Sequence, residues 1–306
     1  MKAIQFNSFG SSDVLKSVRV DKPVPGEKQV LIKIIATTVN PFDIKVRSGS
    51  MQKVMPVQLP YTPGSDVSGI IEAVGKNVSR LKPGDEVFAN SSGGTYAEYV
   101  AVDEKNVSLK PAGLTFNEAV SLVVPITTSY SVLVEKAALQ PDQKILIHGA
   151  AGGVGSTMVQ MAKALGAYVI GTASGTGVEN LKALGADEAI DYKTQDFTQL
   201  VKNIDVVVDL VGKDNQARSF QVMKKGGKLI STVMPPSQEL AEKFEVKAEF
   251  ISSTPSHKKL DYGKELIEAG KLKPQIAQTM KLEEAAAAQD KVSGGGVNGK
   301  IVLEIS

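Results

Sequence analysis

The strongest constraint on the fold is a regular alternation of apolar and amphipathic segments between residues 122 and 253. Six short runs rich in aliphatic residues predict strands, at residues 144–148, 167–171, 188–191, 205–210, 228–232 and 246–251. Segments with helical spacing separate them, at residues 154–165, 178–184, 197–202 and 217–224. This alternation predicts an α/β domain with a doubly wound parallel sheet and helices on both faces.

A glycine-rich loop joins the first of these strands to the first helix. It reads Gly-Ala-Ala-Gly-Gly-Val-Gly at residues 149–155, so Gly152 and Gly155 take the later glycine positions of the dinucleotide fingerprint and Ala150 takes the first. The middle glycine lets a pyrophosphate approach the backbone, and N–H groups at the helix start bind it. The alternative is a tight turn without a ligand. The expected cofactor-binding residues here are Ala151, Gly152, Gly153, Val154 and Gly155.

The residues after the second strand indicate which dinucleotide binds. NAD-specific units usually place an acidic residue there, about 20 residues past the loop, to bind the ribose 2′-hydroxyl. Ser174 and Thr176 lie in this segment, which has no acidic residue. Tyr192 and Lys193, just past the third strand, offer a phenol and a cation to a 2′-phosphate, although Lys193 can equally be an ordinary surface lysine. We therefore expect NADPH, with NADH as the alternative.

The residues that flank the α/β region have a different character. Short strands predicted at residues 29–36, 69–74, 86–89 and 95–101 are separated by proline and glycine turns, which is typical of a β barrel or sandwich.

The last part of the chain returns to this style. Helices are predicted at residues 260–269 and 283–291, followed by a flexible glycine turn at 293–296 and a strand at 300–305. We expect this tail to rejoin the β-rich part. The expected domains are therefore a discontinuous one, residues 1–121 with 260–306, and an α/β one, residues 122–259.

Composition excludes several kinds of site. The chain has no cysteine, which excludes disulfides, thiolate zinc sites, iron–sulfur clusters and cysteine nucleophiles. Of its 2 histidines, we expect His148 in the core and His257 at the surface. With 35 basic and 33 acidic residues, the chain gives no support for nucleic-acid binding. It has no apolar run of about 18 residues and no signal-peptide core, so we expect a soluble cytoplasmic protein without a membrane partner.

Six segments spread over essentially the whole chain match one known superfamily in sequence and order. They are residues 40–49, 63–69, 81–87, 148–155, 184–187 and 299–303. Together they resemble the medium-chain dehydrogenase/reductase superfamily, and within it the zinc-independent quinone oxidoreductase branch with its zeta-crystallin-like and enone-reductase proteins. The resemblance implies a GroES-like β-rich catalytic domain, a Rossmann domain, NADPH and a homodimer.

The resemblance also implies roles for particular residues. Asn40 and Ser65 stand in the regions where zinc-dependent relatives have a cysteine and a histidine ligand, so no metal is expected. Asn40 is the expected catalytic residue, with a turn-forming role before Pro41 as the alternative. Thr127 is expected near the nicotinamide, with a helix cap as the alternative. The expected cofactor-binding set is completed by Val211 and Val233, which follow two predicted strands.

Two departures from the family pattern concern the cofactor and the substrate. Thr176 stands near the place of a lysine that binds the 2′-phosphate in relatives, and Lys193 is the expected substitute. Met51 stands where some relatives have a tyrosine near the nicotinamide. Asp43 and Arg47, one helical turn apart, are expected to form a structural ion pair.

The expected function is zinc-independent, NADPH-dependent reduction of a small quinone or α,β-unsaturated carbonyl by direct hydride transfer. One alternative is an enone or alkenal double-bond reductase with little quinone activity. Another is an NADPH-binding regulatory or structural protein with little turnover.

Overall fold

The protein consists of two units in a computed structural model that describes residues 1–305. Unit 1 contains residues 1–124, 255–268 and those from 274 onward. Unit 2 contains residues 125–254 and 269–273. Two of these divisions lie a few residues from the expected boundaries at 121/122 and 259/260, but residues 269–273, which were expected to belong with the tail, lie in unit 2.

The strands and helices follow one another along the chain. The strands are β1 (Lys2–Gln5), β2 (Lys16–Arg19), β3 (Gln29–Thr38), β4 (Asp66–Val74), β5 (Glu86–Asn90), β6 (Tyr99–Asp103), β7 (Val107–Leu109), β8 (Lys144–His148), β9 (Tyr168–Ala173), β10 (Glu188–Asp191), β11 (Ile204–Asp209), β12 (Met223–Ser231), β13 (Lys247–Phe250), β14 (Ile276–Lys281) and β15 (Lys300–Glu304). The helices are α1 (Pro41–Arg47), α2 (Phe116–Ser121), α3 (Val123–Tyr130), α4 (Gly153–Ala164), α5 (Thr176–Ala183), α6 (Phe197–Leu200), α7 (Asp214–Ser219), α8 (Gln238–Lys243), α9 (His257–Glu268) and α10 (Ala285–Gly294). Within residues 1–305, every helix is too short or too polar to cross a lipid bilayer.

Unit 2 is built on a parallel sheet of 6 strands in the order β10-β9-β8-β11-β12-β13. This confirms the predicted doubly wound sheet and all of its strands. Because the strand order reverses at β8, the loops that follow β8 and β11 lie side by side at the carboxyl edge, where ligands bind in such sheets. β11 is buried along its whole length, as helices on both faces require.

Unit 1 contains a sheet of 7 strands in the order β14-β15-β3-β4-β5-β7, with β6 also paired to β3. β15 runs antiparallel to β3, with Val302 opposite Thr38. β3 runs antiparallel to β4, with Ala36 opposite Ser68. The end of β3 and the starts of β4 and β15 therefore meet at one place in the sheet.

Three predicted elements differ from the structure. The strand expected at residues 95–101 begins only at Tyr99, because the N–H groups of Thr95 and Tyr96 donate to the carbonyls of Gly64 and Pro63. The helix expected at 217–224 ends at Ser219, and a short 3-10 turn leads directly into β12.

The third difference lies near the end of the chain. The expected glycine turn at 293–296 is partly helical, because α10 continues to Gly294 and ends where Gly295 adopts a φ of 75°. The tail helix α9, in contrast, lies in the unit where the sequence predicts it, unit 1, and its Asp261 accepts a hydrogen bond from Ser108 of β7.

We predict that Gly155→Ala destabilises the protein by about 1–3 kcal/mol. A Cβ at Gly155 would overlap the carbonyl oxygen of Gly149 and lie 2.6 Å from Ala150 Cα, both of which are backbone atoms that move only with the loop. Urea denaturation measures the change. Gly113→Ala is the matched control, because a Cβ there meets no atom within 4 Å. Equal stability of the two variants would contradict the prediction.

Candidate functional site

The glycine loop of unit 2 turns the chain sharply from β8 into α4. Gly149 has a φ of 73°, which favours glycine. The N–H of Ala150 donates to the carbonyl of Thr172 on β9 at 3.1 Å, and the N–H of Gly152 donates to the carbonyl of Gly149 at 3.1 Å. These bonds hold the loop against the carboxyl edge of the sheet.

The backbone N–H groups at the start of α4 donate no hydrogen bond to a capping side chain. The first N–H groups of any helix lack partners within it, and here the N-cap residue Gly152 has no side chain to satisfy them. A Cβ at Gly152 would have only the carbonyl oxygen of Gly149 within 4 Å, at 3.4 Å, so the space before the helix is open. Gly153 and Val154 are half-buried beside it. The loop fits the diphosphate of a dinucleotide, whose oxygens would accept these N–H bonds.

An apolar surface borders the loop. A Cβ at Gly149 would lie 3.0 Å from Val211 Cγ2, so Val211 packs against the glycine loop, and its side chain is 44% exposed. Beyond it, a Cβ at Gly212 would lie 3.1 Å from Met234 Sδ and 3.3 Å from Val233 Cγ2. The structure therefore brings the predicted Val211 and Val233 to the same edge and adds the exposed Met234.

A buried carboxylate holds this apolar surface in place. Asp209, at the end of β11, accepts hydrogen bonds from the N–H groups of Val211 at 3.0 Å and Gly212 at 2.6 Å. Its other oxygen accepts from Gln216 Nε2 and Ser231 Oγ, both at 2.9 Å. Sequence reasoning missed Asp209, although an acidic residue that ends an otherwise apolar strand was a signal for it.

The polar residues predicted for the 2′-phosphate lie at the ends of β9 and β10. Ser174 Oγ donates to Tyr192 Oη at 3.1 Å, which brings these two predicted residues together. Thr176 is the first residue of α5 and is exposed. The Lys193 side chain is exposed, while its N–H donates to Asp191 Oδ1 at 3.0 Å.

Two further predicted residues of unit 2 are buried. Thr127 lies inside α3 and is 3% exposed, so the alternative of a helix cap is wrong. His148 is a packed core residue, as expected, and its Nε2 lies 2.8 Å from Ser219 Oγ. Burial lowers the pKa of His148 to about 4, so its ring is neutral at neutral pH.

Asn40 of unit 1 lies in a buried polar cluster between β3 and α1. Its side chain is 4% exposed. Oδ1 accepts a hydrogen bond from Lys300 Nζ at 2.6 Å, and Nδ2 donates to Asp66 Oδ2 at 2.9 Å. The backbone N–H of Asn40 donates to Asp43 Oδ2 at 2.8 Å, which closes the start of α1. The turn at Pro41 therefore uses the backbone of Asn40, and the amide side chain serves the cluster.

The Asp66 carboxylate is the anion at the centre of this cluster. It is fully buried, and it accepts further hydrogen bonds from Thr38 Oγ1 and, at 3.4 Å, from Asn90 Nδ2. Sequence reasoning missed Asp66 and Lys300 as site residues. Each is a charged residue that begins a largely apolar strand, but nothing in the sequence pairs them.

Asp43 does not form the predicted ion pair with Arg47. Its carboxylate accepts from the N–H of Asn40, at the opposite end of α1 from Arg47. Arg47 is 5% exposed, and its Nε and Nη1 atoms have no hydrogen-bond partner among the described residues. Burial, reinforced by the charge of Asp66, raises the pKa of Asp43 to about 7.

A zinc ion does not fit the cluster around Asn40. Catalytic zinc is held by three side chains drawn from Cys, His, Asp and Glu. Asn40 and Ser65 offer an amide and a hydroxyl instead, and Lys300 Nζ lies 3.4 Å from the Asp66 carboxylate. Across residues 1–305, no three residues of these types are grouped so as to hold a metal ion. The basic group of this cluster is Lys300, whose pKa is lowered by burial and raised by the neighbouring carboxylates of Asp66 and Asp43.

We predict that Asp43→Asn becomes more stable relative to the natural protein as the pH rises. Asp43 has a pKa of about 7 in the folded protein and about 4 in an unfolded chain. Between these values the folded state alone keeps the proton, so the free energy of unfolding falls by up to about 1.4 kcal/mol per pH unit as the pH increases. Asparagine keeps an acceptor for the Asn40 N–H without a charge and removes this dependence.

Urea denaturation at pH 5, 6, 7 and 8 measures the difference between the two proteins. Asp21→Asn, which removes an exposed carboxylate of the same unit, is the control. If the free energy of unfolding changed with pH in the same way for Asp43→Asn and the natural protein, the raised pKa of Asp43 would be contradicted.

Two family profiles match the chain. The family described as "Alcohol dehydrogenase GroES-like domain" matches residues 26–112, within unit 1. The family described as "Zinc-binding dehydrogenase" matches residues 184–303. The chain has no cysteine to supply a thiolate ligand to the metal of that second description.

Relatives of two kinds cover nearly the whole chain. A 2-methylene-furan-3-one reductase of Solanum lycopersicum is 40% identical over 99% of this chain and 79% of its own length. A quinone oxidoreductase of Homo sapiens is 34% identical over 99% of this chain and 97% of its own length. The structure of an Escherichia coli quinone oxidoreductase complexed with NADPH superposes with a TM-score of 0.91 at 26% identity, covering 99% of this chain and 100% of that one. From its fold, its glycine loop and these relatives, the chain belongs to the medium-chain dehydrogenase/reductase superfamily, in the branch of the quinone oxidoreductases and enone reductases.

Proposed function

We propose that the protein is an NADPH-dependent oxidoreductase that reduces quinones or α,β-unsaturated carbonyls without zinc. The observation that carries the proposal is the likeness to both kinds of reductase over 99% of the chain. The loop at the start of α4, with uncapped N–H groups before an open space, supports the binding of a dinucleotide.

Unit 2 supplies the cofactor-binding residues. The N–H groups at Gly153, Val154 and Gly155 bind the diphosphate, and the absence of a side chain at Gly152 lets it approach. The exposed apolar side chains of Val211 and Met234, with Val233 behind them, pack against a ring of the cofactor. Ala151 belongs to the same loop, and Thr127 is assigned to the nicotinamide by the family likeness.

The proposed preference for NADPH rests on four residues that follow β9 and β10. Ser174 and Tyr192 form a hydroxyl pair, Thr176 exposes a third hydroxyl, and Lys193 adds an exposed cation. Hydroxyl donors and a cation suit a phosphate, and residues 171–176, where β9 ends, include no carboxylate to repel it. NADH is the weaker-binding alternative.

Asn40 of unit 1 is the proposed catalytic residue. When bound, NADPH supplies a hydride from C4 of its nicotinamide. The Asn40 amide donates an Nδ2–H hydrogen bond to the carbonyl oxygen of the acceptor, on which negative charge develops. A neutral donor is sufficient for a quinone or an enone because both delocalise that charge.

The enone reductase with little quinone activity remains the second candidate, since the relative at 40% identity carries that kind of name. Product analysis separates the two candidates, because one saturates a carbon–carbon double bond and the other forms a hydroquinone. No observation on the chain favours the regulatory or structural alternative. A homodimer and a cytoplasmic location are further proposals, which rest on the family likeness.

We predict that the purified protein oxidises NADPH in the presence of a panel of quinones and enones. NADPH oxidation is followed by its absorbance, with NADH tested at the same concentrations. We expect turnover with at least one class and a lower KM for NADPH than for NADH, because Lys193 and the hydroxyl pair favour the 2′-phosphate. An absence of NADPH oxidation across the panel would overturn the proposed function.

We predict that Gly152→Asp weakens NADPH binding at least about fivefold while the protein stays folded. Gly152 has a φ of −71°, which any residue can adopt, and aspartate is a favourable N-cap. Its carboxylate, however, would lie against the diphosphate and repel it. Isothermal titration with NADPH measures the dissociation constant. Gly152→Asn has the same bulk without the charge, and equal affinities of the two variants would contradict the diphosphate assignment.

A further inference from the structure

We propose that Lys300 is a positioning residue that orients and polarises the amide of Asn40. This inference rests on the proposed function, because it assigns a cause to the donor strength of the proposed catalytic residue. Lys300 opens β15, and β15 lies beside β3, the strand that leads into Asn40. The pairing of β15 with β3 therefore places the Lys300 ammonium next to Asn40.

Lys300 uses all three of its donors within the cluster. Nζ donates to Asn40 Oδ1 at 2.6 Å, to the carbonyl of Val39 at 3.1 Å and to Asp66 Oδ2 at 3.4 Å. All three partners are acceptors, and one is a carboxylate. This arrangement suits a charged ammonium with three N–H groups and would leave the lone pair of a neutral amine unused.

This arrangement decides which way the Asn40 amide faces. In the observed orientation Oδ1 meets the donor Lys300, and Nδ2 meets the acceptor Asp66. A flip by half a turn would place Nδ2 against the ammonium and Oδ1 against the carboxylate, so both contacts would become repulsive. The Lys300–Asp66 pair therefore holds the amide in one of its two orientations.

The fixed amide keeps one donor for the substrate. Nδ2 has two N–H groups, of which one is bonded to Asp66 at 2.9 Å. The other donates to Ser65 Oγ at 3.4 Å, in a long and weak hydrogen bond. The Lys300 ammonium, which donates to Oδ1, draws electron density through the amide and makes this second N–H a stronger donor. Loss of Lys300 should therefore weaken stabilisation of the developing oxyanion rather than cofactor binding.

The test compares Lys300→Met with Lys110→Met in the full chain. Lys110 is a matched control because it is also a buried lysine of unit 1, bonded to the carbonyls of Pro111 and Leu114 and paired with Glu86. We expect Lys300→Met to lower kcat about 10- to 100-fold, with the KM for NADPH changed less than about threefold. Lys110→Met should leave both near the natural values. Where Lys300→Met does not fold, Lys300→Gln, which keeps a donor without the charge, replaces it.

A double-mutant cycle with Asn40→Ala separates positioning from general destabilisation. If Lys300 acts through Asn40, adding Lys300→Met to Asn40→Ala lowers kcat by less than about twofold further. If the two losses multiply, Lys300 acts independently of Asn40 and the proposal is overturned.

A measurement without turnover keeps this inference distinct from the proposed function. In protein labelled with ¹⁵N-asparagine, the side-chain amide signals of Asn40 are identified by their loss in Asn40→Ala. We expect two well-separated proton shifts in the natural protein, a smaller separation in Lys300→Met and no change in Lys110→Met. Identical Asn40 signals in Lys300→Met and the natural protein would overturn the positioning role. An inactive natural protein with the expected signals would overturn only the proposed function.

Discussion

A buried ammonium group joins three segments that lie far apart in the sequence of unit 1. Lys300 is 5% exposed, and a cation at that depth is tolerated only when acceptors surround it. The acceptors come from the end of β3 and the start of β4, so the two neighbouring strand pairings are fixed relative to each other. Removing one partner of a buried ion pair costs about 3–5 kcal/mol, because the other charge is left uncompensated. The contacts that fix the strand register are thus the same contacts that orient Asn40.

Unit 2 obtains its binding surface by a different physical route. There the absence of a side chain at Gly152 leaves open space before the N–H groups of α4, and the absence of one at Gly155 lets α4 pack closely against the backbone of the glycine loop. A buried charge at that edge, Asp209, binds two backbone N–H groups and two side-chain donors. Its role is to shape the apolar border at Val211. The candidate site of unit 2 is therefore formed by backbone groups of the glycine loop. The candidate site of unit 1 is formed by buried charged and polar side chains that compensate one another.

The sheet of unit 2 was predictable because helices cover both of its faces. Strands in that setting are continuous apolar runs, such as β11, and the glycine loop marks where the first helix starts. Strands of unit 1 are harder to recognise when they are short and lie at an edge. β2, for example, is largely exposed and has no apolar run to reveal it.

The sequence could identify Asn40 only through a family likeness, and it could not reveal what surrounds it. Asp66 and Lys300 are separated by 234 positions, and their meeting depends on the registers of β3, β4 and β15. The spacing of Asp43 and Arg47 predicted an ion pair that does not form. Asp43 lies beneath the start of α1, where a backbone N–H satisfies it more directly than a side chain one turn away.

The place of β15 in the sheet bears on how the protein matures on the ribosome. All strands of the unit 2 sheet have been made once residue 250 has emerged, so the sheet that carries the glycine loop can complete its pairing early. Unit 1 must wait for its last strand, which begins at Lys300. Until then Asp66 lacks its countercharge and the amide of Asn40 is free to turn. A nascent chain thus completes the sheet that carries the glycine loop before it can close the cluster around Asn40.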